Sequence, residues 1–250
     1  MSRLRRYQHD LWLVAGFFIL PLLLFGNVTL TGQTMLPADN LYQWQPWQSA
    51  ATDLGLDRPQ NALITDLIIQ NYPWKQFIRQ SLNQGEIPLW NPHLFAGMPF
   101  LATGQNAGFY PFSLFFLLLP LSQAYGWYTV SQLWLAGALA YLLGRTLGLR
   151  RPGAFVVGLV YQGCGFMLTS AAVFPMIIGA AAWLPLLLAC IEKIVQSRAQ
   201  PDNGRWTTDD GVGNGRSYTL LWVLLGATAL GMQVLAGHVE ITYYTLLVMG

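Results

Sequence analysis

The sequence predicts an all-α protein: a polytopic bundle of transmembrane helices whose long first outer loop contains short interfacial helices. The first observation is composition, since 54% of the 250 residues are hydrophobic, 10% are charged and the mean hydropathy is +0.39. A soluble domain carries about 25% charged residues. The second observation is a series of apolar runs of membrane-crossing length. The net charge of +2 is too small to favour nucleic acid as a partner.

The apolar runs predict five complete spans and one incomplete span. Residues 11–30 follow a basic start, and no small-x-small cleavage site comes after them, so we favour a retained helix over a cleavable signal peptide. The further predicted spans cover residues 124–144, 153–173, 177–194, 218–236 and 241–250. The last run is cut off at Gly250, and natural chains rarely stop in mid-helix. We therefore expect a single transmembrane domain that is truncated at its C-terminus.

Basic residues predict the orientation of these spans. Arginines and lysines cluster before the first span, between the second and third spans, and between the fourth and fifth. Only Arg58, Lys75 and Arg79 fall within residues 31–107. The positive-inside rule therefore places the N-terminus in the cytoplasm and the 31–107 loop outside. The cytoplasmic stretch 197–217 is Gly-, Asp- and Asn-rich and lacks the Lys-Ser/Thr of a phosphate loop, so a flexible linker is expected.

One apolar segment is too short to be a span. Residues 109–121 are bounded by Pro111 and Pro120, and a stretch of this length is more often interfacial or re-entrant. If it crossed the membrane, the basic cluster at 145–151 would lie outside. We interpret residues 109–121 as a non-spanning segment that leads the outer loop back to the bilayer.

The outer loop contains a small internal repeat. The pattern D-x3-Q-x2-P-W starts once at Asp39 and once at Asp66, with Gln43 and Gln70 four residues further on. Residues four apart share one face of a helix. Two interpretations stay open. The carboxylates can favour the first turns of two interfacial helices, which is the commoner role. They can also form a pair outside the membrane that acts as a general base or binds a divalent cation.

The next stretch carries a resemblance. The run GEIPLWNPHLFAGMPFLATGQNAGFYP starts at Gly85 and is rich in Pro, Gly and aromatic residues. It resembles the hallmark segment of the YfhO-type bacterial membrane proteins. The D-x3-Q-x2-P-W repeat, WLPL at 183–186 and AGH at 236–238 are similar to further segments of that family. The resemblance covers essentially the whole chain. Members are longer, multi-spanning proteins grouped with the GT-C glycosyltransferases, so it implies a GT-C-like bundle in a bacterial plasma membrane.

The resemblance also implies site residues. GT-C enzymes commonly keep an acidic residue in the first outer loop as base or metal ligand, which makes Asp39 and Asp66 the catalytic candidates and the candidate ligands of a divalent ion such as Mg or Mn. We favour Asp66 slightly, because its segment leads directly into the hallmark run, but the sequence does not separate the two. The candidate substrate-binding residues are Gln43, Gln70, Lys75, Arg79, Trp90, Asn91, Gln105, His238 and Glu240. Among these, Lys75 and Arg79 are the candidates for contact with a lipid phosphate.

The expected function follows from the resemblance. GT-C enzymes transfer a sugar from a polyprenyl-phosphate carrier at the outer face of the membrane, here for cell-envelope or lipid-linked glycan modification. The chief alternative is a transporter or flippase of lipid-linked or small polar substrates, which would require polar residues at mid-membrane and discontinuous helices. The polar residues of this chain are concentrated outside the spans, which disfavours transport. A non-catalytic envelope assembly protein is the third alternative.

Overall fold

The protein is mostly helical. The structure is a computed structural model that describes residues 2–56, 58–199 and 214–250. The described α-helices are α1 Ser2–Gly16, α2 Ile19–Leu30, α3 Tyr72–Asn83, α4 Leu114–Leu118, α5 Leu121–Thr146, α6 Arg151–Gln162, α7 Gly165–Val173, α8 Pro175–Ala181, α9 Leu184–Ala199, α10 Asn214–Leu235 and α11 Val239–Met249. The predicted linker 197–217 lies largely outside the described residues, including its glycines up to residue 213.

The segment between α2 and α4 is ordered by short elements rather than by long helices. It contains 3-10 turns, one π-helical turn at Leu67–Asn71, helix α3 and a two-stranded hairpin. The hairpin pairs β1 (Trp90–Asn91) with β2 (Met98–Pro99) in antiparallel register, Trp90 opposite Pro99. Helix α4, in the stretch 109–121, has five residues. A helix of that length rises only about 8 Å, which is far less than the thickness of the hydrocarbon core.

Within the described residues, two helices are long and apolar enough to cross a membrane. They are the 23 residues Pro175–Ser197, which join α8 to α9, and the 18 residues Tyr218–Leu235 of α10. Two bent pairs raise the number to four if each pair is one span: Gln8–Gly16 with Ile19–Leu30, and α6 with α7. The apolar helix α11 is shorter, with 11 residues.

The predicted span 124–144 lies in α5, which is enclosed by the rest of the protein. It is the longest helix, with 26 residues, and it packs mainly against α6, α9 and α2. Its buried side chains include four that are polar: Tyr125, Tyr128, Thr129 and Gln132. The helix is not among the candidates that pass the combined test of length and hydropathy. Because α5 is surrounded by other parts of the protein, it can carry polar and small side chains that a helix facing lipid would avoid.

The first predicted span, 11–30, is bent rather than continuous. The helix axes on either side of the break differ by 41°. Pro21 has no backbone N–H, so it cannot donate to the carbonyl four residues earlier, at Phe17. The Gln162 side chain of α6 donates to that carbonyl at 2.7 Å. Gln162 therefore forms a hydrogen bond between helices, and its partner is the backbone carbonyl that the proline leaves free.

Gln132 of α5 binds the irregular segment that precedes α4. It accepts a hydrogen bond of 2.7 Å from the hydroxyl of Tyr110, which lies just before α4 in the chain. The same hydroxyl accepts a bond of 3.0 Å from the indole of Trp183. Burial raises the pKa of Tyr110 above its ordinary value, so the hydroxyl stays neutral. This buried network fixes the irregular segment to the core of the bundle.

Contacts between helix ends define two opposite ends of the bundle. At one end, Asp10 of α1 pairs with Arg151 of α6 at 2.8 Å and with Arg145 of α5 at 3.7 Å. Tyr141 also donates a hydrogen bond to the Asp10 carboxylate. At the other end, Gly237 lies against residues 104–105, because a Cβ placed on it would stand 2.8 Å from the Gly104 carbonyl oxygen. The candidate site lies at this second end.

Candidate functional site

Asp66 is positioned by the turn that leads into α3. It occupies the N-terminal cap position of the π-helical turn Leu67–Asn71, which continues directly into α3 with Pro73 in the first turn, as predicted. Leu67 is fully buried. The Tyr125 hydroxyl donates to the Asn71 side-chain oxygen at 2.7 Å, which ties the turn to α5. Asp66 itself is exposed at the start of this anchored element.

A second segment approaches the same place from the far end of the chain. Gly237 follows α10 with φ of +84°, a conformation that favours glycine. His238 caps α11, and its ring nitrogen Nδ1 accepts a bond of 3.4 Å from the Ile241 backbone N–H. Glu240 lies in the first turn of α11 and is exposed. The tight turn at Gly237 thus brings His238 and Glu240 next to residues 104–105.

These segments line a small polar cavity. Its volume is about 210 Å³. Five predicted site residues line it: Asp66, Gln70, Gln105, His238 and Glu240. They come from the turn before α3, the loop after β2 and the start of α11, which are far apart in the sequence. Two carboxylates, a histidine and two amides therefore line one open cavity.

The histidine in the cavity is held in its neutral form. Burial lowers the pKa of His238 below its ordinary value of 6.5, and the Glu240 carboxylate opposes this shift more weakly. At neutral pH the ring is therefore uncharged. It can donate or accept a hydrogen bond through the nitrogen that does not cap α11.

The two predicted metal ligands are not brought together. Asp66 lines the cavity and Asp39 does not. Among the described residues, no group of three or more His, Cys, Asp or Glu side chains is placed to hold a metal ion. A divalent metal ion at Asp39 and Asp66 therefore stays a prediction from the sequence.

Asp39 forms a hydrogen bond within the 31–107 segment and does not line the cavity. Its carboxylate accepts a hydrogen bond of 2.8 Å from the Gln60 backbone N–H and thereby links two parts of the 31–107 segment. Gln43, in the same copy of the repeat, donates to the Asn40 carbonyl at 3.2 Å. The first copy forms a 3-10 helix, Ala38–Gln43, whereas the second copy is a π-turn joined to α3. The two copies share a pattern but not a conformation, and the second one lines the cavity.

Lys75 is not accessible to a phosphate, contrary to the prediction from the sequence. Its ammonium is buried, donates to the Asn106 carbonyl at 2.7 Å and lies 4.7 Å from the centre of the Phe116 ring. Burial lowers the pKa of Lys75 from 10.5 to about 7. A phosphate cannot reach the ammonium without unpacking α3. Lys75 holds the irregular segment around Asn106 in place instead.

Three other predicted substrate-binding residues lie outside the cavity. Arg79 donates to the Leu119 carbonyl at 3.1 Å and lines a separate groove of about 700 Å³. Trp90 packs its indole against Gly97, where an added Cβ would stand 2.7 Å from the ring nitrogen. Asn91 is buried and accepts a bond of 2.9 Å from the His93 backbone N–H. None of these three residues lines the 210 Å³ cavity.

Five residues that line the cavity were not predicted from the sequence: Trp74, Phe174, Met176, Gly237 and Val239. Trp74 closes the second copy of the D-x3-Q-x2-P-W repeat. Phe174 and Met176 flank Pro175, where α7 ends and α8 begins. That proline was the available signal, because the residue before a proline disfavours helix and so marks the break between the predicted spans 153–173 and 177–194.

No family model matches this chain, and no curated protein or solved structure is significantly similar to it. The relationship to the YfhO-type proteins therefore stays a prediction that depends on the quoted motifs.

The turn at Gly237 gives a first testable prediction. Gly237→Ala should lower the free energy of unfolding by about 1–2 kcal/mol, because the new Cβ would meet the Gly104 carbonyl and because φ is positive. Gly231→Ala in α10 is the matched control, since a Cβ there meets nothing within 4 Å and alanine favours the helix. Thermal unfolding of both variants in detergent measures the difference. Equal stability of the two variants would contradict the observed close approach.

Proposed function

We propose that this chain is a membrane glycosyltransferase that uses a polyprenyl-phosphate-linked sugar donor, and that the 210 Å³ cavity is where the acceptor is activated. The observation that carries the proposal is the convergence of Asp66, His238 and Glu240 with two glutamines in one cavity. Such a set can bind hydroxyl groups and remove a proton from one of them. The orientation predicted from the basic residues would place this cavity at the outer face of the membrane.

Asp66 is the proposed general base. Its carboxylate would take the proton of an acceptor hydroxyl as the acceptor oxygen attacks the anomeric carbon of the donor. The bond from that carbon to the phosphate oxygen breaks, and the polyprenyl phosphate leaves with the electron pair. Gln70, Gln105 and neutral His238 would orient the acceptor through hydrogen bonds. Asp66 is favoured over Asp39 because Asp66 lines the cavity and Asp39 binds the Gln60 backbone.

The test compares two matched substitutions in membranes that contain the full-length protein. Radiolabelled sugar transfer is measured from a panel of polyprenyl-phosphate donors for wild type, Asp66→Asn and Asp39→Asn. We expect Asp66→Asn to lower the transfer rate by about 10²-fold, the usual scale for loss of a general base, while Asp39→Asn retains most of it. Expression is checked by immunoblot so that folding defects are not counted as lost chemistry.

Two results would contradict this proposal. Transfer that survives Asp66→Asn would show that the carboxylate is structural. Transfer lost only in Asp39→Asn would move the base to the first copy of the repeat. If no donor of the panel is consumed by wild type while the cavity residues affect envelope assembly in cells, the non-catalytic alternative is favoured.

A further inference from the structure

A larger groove adjoins the cavity. It lies between α3 and the loop of the β1–β2 hairpin, and its volume is about 630 Å³. The groove and the cavity share three lining residues, Gln70, Trp74 and Gln105. A molecule in the groove can therefore extend a group into the cavity, next to Asp66.

The polar side chains of the groove are amides, one hydroxyl, one indole and one imidazole. None of its fourteen lining residues, all of which the structure describes, is Asp, Glu, Lys or Arg. Gln76, Gln80 and Gln105 present exposed side-chain amides that form no hydrogen bond with any described residue. Amides of this kind donate and accept at once, which suits hydroxyl groups. A phosphorylated ligand would find no Arg or Lys in the groove, whereas phosphates are usually bound by Arg, Lys or helix ends.

Aromatic side chains form the apolar part of the same groove. Trp74 and Phe77 line it from α3, and Phe95 lines it from the hairpin loop. Phe95 is 89% exposed and has φ of +51°, which is uncommon for a residue with a bulky side chain. Aromatic rings present flat apolar faces with a negative quadrupole. The C–H faces of sugar rings match such surfaces, while the sugar hydroxyls match the amides.

We propose that the groove binds the acceptor as an uncharged saccharide, an assignment that rests on the proposed function. A polyprenyl chain fits less well, because it would desolvate several amides without giving them hydrogen bonds. The groove then selects the acceptor, and the adjoining cavity activates its hydroxyl. Phe95 and Gln80 act in saccharide binding and have no contact with the reacting atoms.

Binding without any donor tests this inference separately from catalysis. The full chain in detergent is titrated with maltose, cellobiose and chitobiose, and with glycerol phosphate and farnesyl phosphate, by saturation-transfer NMR. We expect the neutral disaccharides to bind, and Phe95→Ala and Gln80→Leu to weaken that binding about tenfold each. Both side chains are exposed, so neither change should affect folding. Leu63→Ala, at a side chain that is also 89% exposed but outside the groove, is the matched control.

The outcomes separate the two proposals. Asp66→Asn should bind the disaccharides as wild type does while losing transfer. If it loses neither, the proposed base is wrong but the saccharide groove stands. If no neutral disaccharide binds wild type, or if Phe95→Ala and Gln80→Leu bind as tightly as Leu63→Ala, the groove assignment is overturned. Binding of the phosphates alone would overturn it as well.

Discussion

The protein becomes more stable as the pH is raised from about 7 towards 10.5, because of Lys75. Burial lowers the pKa of this lysine from 10.5 to about 7 in the folded state. Between these values the unfolded chain binds the proton and the folded chain does not, so the free energy of unfolding rises with pH. Below pH 7 both states are charged and the full cost of burial remains. The total effect is up to about 5 kcal/mol, from about 1.4 kcal/mol for each pKa unit.

Lys75→Met tests this expectation. The substitution keeps an unbranched chain of similar size and removes the titrating group, so the rise in stability with pH should disappear. At pH 7 the variant should be at least as stable as wild type, since no ammonium is buried. Thermal unfolding in detergent at a series of pH values across the window measures both effects.

The control uses the other lysine of the chain. Lys193 donates to Gln196 at 3.0 Å on an exposed part of α9, so Lys193→Met should keep the wild-type pH dependence. Among the described residues, no carboxylate forms an ion pair with Lys75. Parallel stability curves for wild type and Lys75→Met would mean that Lys75 titrates as an ordinary surface lysine, and the buried geometry would then be wrong.

Gly158→Ala lowers the free energy of unfolding by about 3 kcal/mol, because two helices and an aromatic ring meet at this glycine. A Cβ on Gly158 would stand 2.6 Å from the Gly137 carbonyl oxygen of α5 and would overlap the Phe17 ring. Backbone cannot move aside as a flexible side chain can, so α5 and α6 must separate. Close approach through small residues is the usual basis of helix packing in membranes.

The matched control lies one and a half turns earlier on α6. A Cβ on Gly153 would meet only the Leu149 side chain, at 3.8 Å, which is an ordinary contact. Gly153→Ala should therefore be neutral or stabilise the helix by up to about 1 kcal/mol. Of the two alanine variants, only Gly158→Ala is predicted to lower the free energy of unfolding. Thermal unfolding and yield from membranes measure the contrast, and a stable Gly158→Ala variant would show that α5 and α6 do not pack at this point.

Local pattern predicted the helical class and the positions of most helices. Runs of apolar residues located the segments that became α2, α5, α9 and α10, because a helix needs only its own apolar side chains to be recognised. Bends were not predicted. The break at 17–18 depends on Pro21 and on Gln162, and the break before Cys164 separates α6 from α7. Such bends persist because other helices satisfy the backbone groups that they leave free.

The candidate site was predicted in part. The sequence proposed Asp66, Gln70, Gln105, His238 and Glu240 separately, from a repeat and from a resemblance, and the fold brings all five to one cavity. It proposed Asp39 and Lys75 with similar arguments, and the fold gives both other partners. A motif records which residue types occur at which spacing, and that information is the same for both copies of the repeat.

The sequence by itself determined the helical, apolar character of the protein and a set of polar candidates near the ends of its helices. Only the tertiary structure showed that Asp66 lines the cavity whereas Asp39 binds the Gln60 backbone and Lys75 is buried against Asn106. It also placed at the cavity residues that the sequence did not indicate: Trp74, Phe174, Met176, Gly237 and Val239. The physical reason is that burial and hydrogen-bond partners depend on segments far apart in the chain. Tyr125 anchors the turn after Asp66, and Gly237 meets Gly104, and neither contact can be read from local spacing.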